Sequence, residues 1–121
     1  MGRPNQMTSV QPTAESSGWG VVASDLDGTL LNSDRYLTDR TVAAVGRVRS
    51  AGARFVVVTG RPVRWLTPLV ERLGDDEVMI AQNGAVVWHP ATNEVLADHP
   101  LELELISSLV AQLAEEDPEL H

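Results

Sequence analysis

Lysine and cysteine are both absent from this sequence of 121 residues, and its nine basic residues are all arginine. The absence of cysteine excludes disulfides, thiolate metal sites and a cysteine nucleophile. The absence of lysine excludes any mechanism in which a lysine amine of this chain takes part. A single hydrophobic core must therefore hold the fold, which is within reach of a chain of this length.

Positive charge and long apolar runs are scarce as well. The chain has 9 arginines against 17 acidic residues, a formal charge of −8, and this balance argues against nucleic acid or an anionic membrane as partner. No apolar run approaches the roughly 20 residues that span a bilayer, and the first 18 residues lack the apolar stretch of a secretory signal. We therefore expect a soluble, cytoplasmic protein with neither of these partners.

Short β-branched runs alternate with amphipathic segments along most of the chain. Residues 1–18 are rich in Pro, Ser, Thr and Gln and predict a disordered leader. The spacing of apolar residues predicts strands at 19–24, 54–59 and 78–82, the first of them buried on both faces. It predicts helices at about 39–51, with Thr38 as N-cap, and at 62–73, with an interruption at Pro68.

The pattern changes after the third strand. Residues 85–88 and 94–98 predict a β-hairpin, and an amphipathic helix follows Pro100. The earlier strands and helices alternate, which predicts an α/β fold with a parallel sheet and flanking helices. Right-handed crossovers bring the carboxyl ends of the three strands to one edge, where open sheets bind ligands. The polar residues that the sequence places there are Asp25, Asp27, Thr59, Gly60, Arg61 and Asn83.

Asp25 and Asp27 are the strongest candidates for chemistry. They are two residues apart, so in extended backbone their carboxylates project to the same side. Two carboxylates in this relation form a hard-oxygen site that suits Mg²⁺, which prefers few protein ligands, retained waters and a substrate phosphate. Gly28 allows a sharp turn beside a bound anion. We therefore predict Asp25 and Asp27 as metal ligands.

Three segments carry a resemblance to a known family. Asp25-Leu-Asp-Gly-Thr-Leu-Leu31 resembles the first motif of the haloacid dehalogenase (HAD) superfamily of phosphatases, and Val57-Val-Thr-Gly-Arg-Pro62 resembles its second. Gln82-Asn-Gly-Ala85 is similar to a turn in Cof-type members. The resemblance implies a Rossmann-like core and hydrolysis of small phosphorylated metabolites, such as sugar phosphates, with Mg²⁺ as cofactor.

The resemblance also implies roles for individual residues. Asp25 would be the nucleophile that becomes an aspartyl phosphate, and Asp27 the general acid and base whose backbone carbonyl also touches the metal. Thr59 would hydrogen-bond the phosphoryl group, and Gly60, Arg61 and Asn83 would complete the substrate site. For Arg61 a second interpretation stays open, that of a surface group held in a salt bridge.

The sequence departs from the family at its third and fourth motifs. A lysine and a set of acidic residues are expected there, and the acidic cluster 75–77 is predicted to be a solvated loop at the opposite edge of the sheet. We therefore interpret 19–84 as a partial core, with its first strand as an exposed edge, and 85–121 as the beginning of an α+β cap domain. The isolated chain should be weakly active or inactive.

Two alternative functions remain at this stage. The chain could be a non-catalytic homologue that binds magnesium and phosphate, or a phosphomutase that transfers the phosphoryl group to a sugar hydroxyl. The tryptophans Trp65 and Trp88 are predicted to be packing groups rather than stacking platforms. The histidines His89, His99 and His121 show no spacing typical of a shared metal and are predicted to lie at the surface.

Overall fold

The structure, a computed structural model, describes residue 18 and residues 20–119. Its strands are β1 (Val21–Asp25), β2 (Arg54–Val58), β3 (Met79–Ala81), β4 (Val86–His89) and β5 (Glu94–Asp98), and its helices are α1 (Asp39–Ser50), α2 (Thr67–Leu73) and α3 (Leu103–Glu116). The predicted leader, 1–18, lies outside the described residues except for residue 18. None of the described helices combines the length and the apolar character that a membrane span requires.

The five strands form one sheet in the order β1-β2-β3-β4-β5. β1, β2 and β3 are parallel, as predicted, and the predicted hairpin of β4 and β5 continues the same sheet with antiparallel pairs. β1 occupies the edge of this sheet, which confirms the expected exposed edge. The sheet is therefore mixed, with its parallel half on the side of β1.

The helices begin and end where local chemistry places them. Thr38 caps α1, since its hydroxyl accepts a hydrogen bond from the Thr41 N–H at 3.2 Å. The interruption expected at Pro68 is confirmed, because a short 3₁₀ turn, Val63–Trp65, precedes α2 and Pro68 stands in the first turn of that helix. Gly74 ends α2 with φ +89°.

One face of the sheet carries the core. Phe55, Val57 and Met79 point to this face and are buried together with Val45 of α1 and Leu69 of α2. Both crossovers run in the same direction along the sheet, so right-handed connections place α1 and α2 on the same face. The opposite face is less covered among the described residues.

The prediction that the first strand is buried on both faces is wrong. Val21 is 54% exposed, and exposed and half-buried residues alternate along β1. An apolar run signals burial only where other elements cover both faces. Here helices cover one face and no described strand pairs with the outer edge of β1.

Candidate active site

The carboxyl ends of the parallel strands meet at one edge of the sheet, as predicted. Asp25, the last residue of β1, is paired with Val58, the last residue of β2. Thr59 directly follows Val58, so it lies close to Asp25. The Thr59 N–H donates to the Ile80 carbonyl of β3 at 2.8 Å. The first two motifs and the turn after β3 are thus held side by side by main-chain hydrogen bonds.

The end of β1 and the loop that follows it present two carboxylates, those of Asp25 and Asp27. Leu26 is 1% exposed and points into the core, whereas Asp25 and Asp27 on either side of it are exposed. Gly28 turns the chain with φ +76°, a conformation that favours glycine. The Leu31 N–H then donates to the Leu26 carbonyl at 2.9 Å and closes the loop. The buried leucine therefore anchors a loop whose acidic groups face outward.

The Asp25 carboxylate makes one side-chain hydrogen bond within the described chain. Its Oδ2 accepts from the Thr29 hydroxyl at 3.1 Å, and its other oxygen has no protein donor there. No ion pair involves this carboxylate among the described residues. An exposed oxygen without a competing cation can contact an incoming electrophile or a metal ion.

Asp27 is in a different state, because Arg61 binds both of its carboxylate oxygens. The Arg61 Nε lies 2.7 Å from Oδ2 and its Nη2 lies 2.5 Å from Oδ1. These hydrogen bonds, helped by the charges of Arg61 and Arg35, hold the pKa of Asp27 below its ordinary value, although partial desolvation opposes the shift. The same pair raises the pKa of Arg61. The sequence left Arg61 open as a substrate-site residue or as a surface group in a salt bridge. The structure shows the salt bridge, and the partner, Asp27, is itself a predicted site residue.

Next to the pair of Asp27 and Arg61 lie three further predicted site residues, Thr59, Gly60 and Asn83. Thr59 is 3% exposed, and its hydroxyl accepts from the Arg61 N–H at 3.1 Å. The Asn83 N–H donates to the Thr59 carbonyl at 3.1 Å. A Cβ on Gly60 would lie 2.9 Å from the Asn83 Oδ1, so a side chain at this position would displace the amide. The predicted substrate-site residues are therefore neighbours, while their roles stay predictions.

The Mg²⁺ site predicted on the carboxylates of Asp25 and Asp27 stays a prediction, and the structure leaves one of these two carboxylates available for it. No group of three or more His, Cys, Asp or Glu side chains comes together within the described residues. One Asp25 carboxylate oxygen has no donor among the described residues, whereas both side-chain oxygens of Asp27 are bound to Arg61. The main-chain carbonyl of Asp27 is the oxygen that this residue can still offer. One carboxylate and one carbonyl suit an ion that retains most of its waters.

Two residues near the site differ from the sequence interpretation or were missed by it. Trp65, predicted to be a packing group, is 58% exposed, and that prediction is wrong, since it stands at the end of the short turn before α2 with its ring outside the core. Trp88 is buried and donates from Nε1 to Asn93, as expected of a packing group. The sequence analysis did not predict Arg35 as a site residue, although it lies beside Asp27 in the structure. Its place in the polar turn directly after the first motif could have indicated it.

The remaining acidic and histidine predictions have mixed outcomes. Asp75 and Asp76 are exposed, as expected of a solvated loop, but Glu77 is half-buried and binds Arg54 at the amino end of β2. His99 is exposed, whereas His89 ends β4 and is half-buried, because its strand is inside the sheet. His121 lies outside the described residues.

Comparisons with known proteins point to one family. A sequence model described as haloacid dehalogenase-like hydrolase matches residues 22–121. The pyridoxal phosphate phosphatase YbhA of Escherichia coli is 33% identical over 95 residues, which are 78% of this chain and 35% of that protein. The 5-amino-6-(5-phospho-D-ribitylamino)uracil phosphatase YitU of Bacillus subtilis is 31% identical over 91 residues, 74% of this chain and 34% of that protein.

Solved structures agree with the sequence comparison. A haloacid dehalogenase-like hydrolase from Bacillus subtilis superposes with a TM-score of 0.69 and 29% identity, covering 80% of this chain and 34% of that one. SMU.1108c from Streptococcus mutans superposes with a TM-score of 0.72 and 25% identity, covering 84% and 38%. The chain spans about a third of the length of the curated relatives that it matches.

Proposed function

We propose, for a chain that belongs to the haloacid dehalogenase-like hydrolases, that its site hydrolyses phosphomonoesters through a phosphoryl group carried on Asp25. The observation that supports this proposal most is the exposed Asp25 carboxylate, two residues from Asp27 at the carboxyl ends of the parallel strands. One of its oxygens has no donor within the part of the chain that the structure describes. Open α/β sheets bind their ligands at this edge.

In the proposed reaction Asp25 and Asp27 divide the work. An Asp25 oxygen attacks phosphorus, the bond from phosphorus to the leaving oxygen breaks, and Asp27 gives its proton to that oxygen. Water then attacks the phosphorus of the acyl phosphate, Asp27 takes the proton of the water, and the Asp25 carboxylate separates from inorganic phosphate. Each step returns Asp27 to the state that the next one needs.

Arg61 controls the protonation state of Asp27 in this scheme. While the guanidinium binds both oxygens, the carboxyl stays ionised and cannot donate a proton. A phosphate dianion competes with Asp27 for Arg61, because guanidinium pairs with phosphate oxygens as it does with carboxylate. Substrate binding would thus move Arg61 to the phosphate and free Asp27 to carry the proton.

The groups that would hold Mg²⁺ are the Asp25 carboxylate and the Asp27 carbonyl. The bound ion would neutralise charge on the phosphoryl oxygens during transfer. The chain's own fixed donors are the N–H groups of the loop after Asp25 and the Thr59 hydroxyl. We assign the substrates to small phosphorylated metabolites, since the names of two relatives specify a phosphorylated pyridoxal and a phosphorylated ribitylaminouracil. The Cof-type assignment rests on a different observation, the similarity of the segment 82–85 to a turn in Cof-type members.

Turnover of 4-nitrophenyl phosphate tests this proposal. We expect Mg²⁺-dependent hydrolysis only slightly above background, because this chain has no lysine to neutralise the phosphoryl group, and complete loss of that hydrolysis in Asp25→Asn. Asp34→Asn is the matched control, since Asp34 is an exposed acid on the neighbouring turn and its carboxylate has no described partner.

Two results would contradict the proposal. Hydrolysis that persists in Asp25→Asn would remove the role of this residue as nucleophile. Binding of Mg²⁺ and phosphate without any turnover would instead support the non-catalytic module, which the absence of lysine favours.

A further inference from the structure

Two adjoining cavities open beside Asp27. One has a volume of about 570 Å³ and is lined by Asp27, Arg35, Arg61 and Trp65. The other, of about 320 Å³, shares Arg35, Arg61 and Trp65 and continues between apolar side chains that include Leu31. We refer to the space bounded by these shared residues as the side cavity. It is concave, partly apolar and adjacent to a proposed catalytic group, which is typical of a small-molecule site.

Trp65 forms an aromatic wall of the side cavity and is held firmly. Its main-chain N–H donates to the Pro62 carbonyl at 3.0 Å, and the next residue, Leu66, is completely buried. The Arg64 guanidinium lies over the indole ring, 5.4 Å from its centre, so a ligand would stack on the opposite face. A large aromatic ring that is fixed at its backbone and more than half exposed can stack on a flat ligand.

Arg35 supplies a cation that forms no ion pair among the described residues. Arg54, Arg61 and Arg72 each form an ion pair, whereas Arg35 has no carboxylate within 4.0 Å among the described residues. Its main-chain N–H donates to the main-chain carbonyl of Asn32 at 2.9 Å, and its backbone has φ +59°. This ordered turn directs the residue towards the side cavity, which it lines.

The charge at this place differs in sign from that of the whole chain. The formal charge of the protein is −8, but the lining of the larger cavity combines two arginines with one aspartate. Since Arg61 is paired with Asp27, the remaining charge of this lining is that of Arg35, and the adjoining cavity adds Glu71 and Arg72, which are opposite in sign. An anionic group on a ligand therefore meets local attraction on a surface that otherwise repels it.

The position of Asp27 shows which part of a substrate would enter. A general acid must lie within hydrogen-bond reach of the oxygen that it protonates, and in the proposed reaction this is the leaving oxygen. Because Asp27 lines the side cavity, the leaving group extends from that oxygen into it. The phosphoryl group stays at Asp25.

Building on the proposed function, we propose that Trp65 and Arg35 form the leaving-group subsite, and that it takes a planar ring bearing an anionic oxygen substituent. The ring stacks on Trp65 and the oxygen pairs with Arg35. Trp65 and Arg35 are then specificity-determining residues of the core, separate from the residues that perform the reaction.

Binding of three non-hydrolysable phosphonates to the 121-residue chain tests this inference. The probes are propylphosphonate, benzylphosphonate and 4-carboxybenzylphosphonate, with dissociation constants measured by calorimetry in Mg²⁺. We expect benzylphosphonate to bind about tenfold more tightly than propylphosphonate, because stacking on an aromatic side chain is worth roughly this factor. The carboxylate should add about a further fivefold through an exposed charge pair.

The variants separate the two contributions. Trp65→Leu should abolish the gain from the ring, Trp65→Phe should retain most of it, and Arg35→Gln should abolish only the gain from the carboxylate. Arg40→Gln, which removes one exposed arginine on α1 outside both cavities, should leave both gains unchanged. Circular dichroism verifies that each variant is folded.

The results that would overturn the inference differ from those that would overturn the proposed function. If all three probes bind equally, or if the gain from the ring survives in Trp65→Leu, the leaving-group subsite is refuted and the phosphate site stands. If none of the probes binds, including propylphosphonate, the phosphate site fails and the subsite fails with it.

Discussion

The ion pair between Asp27 and Arg61 makes the sharpest energetic prediction. We expect a double-mutant cycle of Asp27→Asn and Arg61→Gln to give a coupling free energy of about 1 kcal/mol at pH 7, the upper end of the range for exposed pairs. The bond is bidentate at 2.7 and 2.5 Å, which favours a high value. The Asp27 side chain is 48% exposed, so solvent screening keeps the coupling well below that of a buried pair.

The pH dependence of this coupling has a definite sign. The folded state lowers the pKa of Asp27 from the ordinary value of 3.8, so the pair stabilises the folded protein fully above that value. The stabilisation is lost as the pH falls below 3.8 and through the folded pKa, where Asp27 takes up its proton. Arg61 stays charged throughout this range.

Urea unfolding of the four proteins of the cycle, followed by circular dichroism between pH 7 and pH 3, measures the coupling. The carboxyl carbon shift of Asp27 in NMR gives its titration in parallel. A second double-mutant cycle serves as the comparison. It uses the ion pair of Arg54 and Glu77, which lies at the amino ends of the parallel strands. A coupling below about 0.2 kcal/mol at pH 7 would refute the geometry, since even exposed pairs of good geometry usually exceed it. A coupling that persists after Asp27 is protonated would refute the electrostatic explanation.

Three further predictions concern the scaffold that holds the site. Leu66→Ala should lower the free energy of unfolding by about 2–5 kcal/mol in urea titrations, because Leu66 is completely buried. Thr38→Ala should lower it by about 1 kcal/mol through loss of the α1 cap. Gly60→Ala should shift the side-chain amide resonances of Asn83, because the new Cβ would lie 2.9 Å from the Asn83 Oδ1; unchanged resonances would show that this contact does not exist.

Local signals in the sequence were sufficient for most elements. Thr38 marked the start of α1 and Pro68 the interruption before α2, because each acts through its own backbone or side chain within one turn. The convergence of Asp25 and Thr59 followed from strand order and handedness alone. These features depend on few residues at a time, so a single sequence specifies them.

Features that depend on distant neighbours could not be predicted. The exposure of β1 depends on what covers the sheet, and the apolar run of that strand carries no information about its coverage. The pairing of Arg61 with Asp27 joins residues 34 positions apart and depends on side-chain rotamers. Trp65 occupies a position of helical apolar spacing, but it lies in the 3₁₀ turn before α2, and its ring is exposed.

Phosphoryl trapping tests the central claim about Asp25 most directly. The chain is incubated with 4-nitrophenyl phosphate and Mg²⁺, quenched in acid and reduced with borohydride, which converts an aspartyl phosphate to homoserine that peptide mass spectrometry locates. We predict homoserine at position 25, and none in Asp25→Asn. Mg²⁺-dependent turnover with no trapped residue at this position, or with the trapped residue at Asp27, would contradict the account.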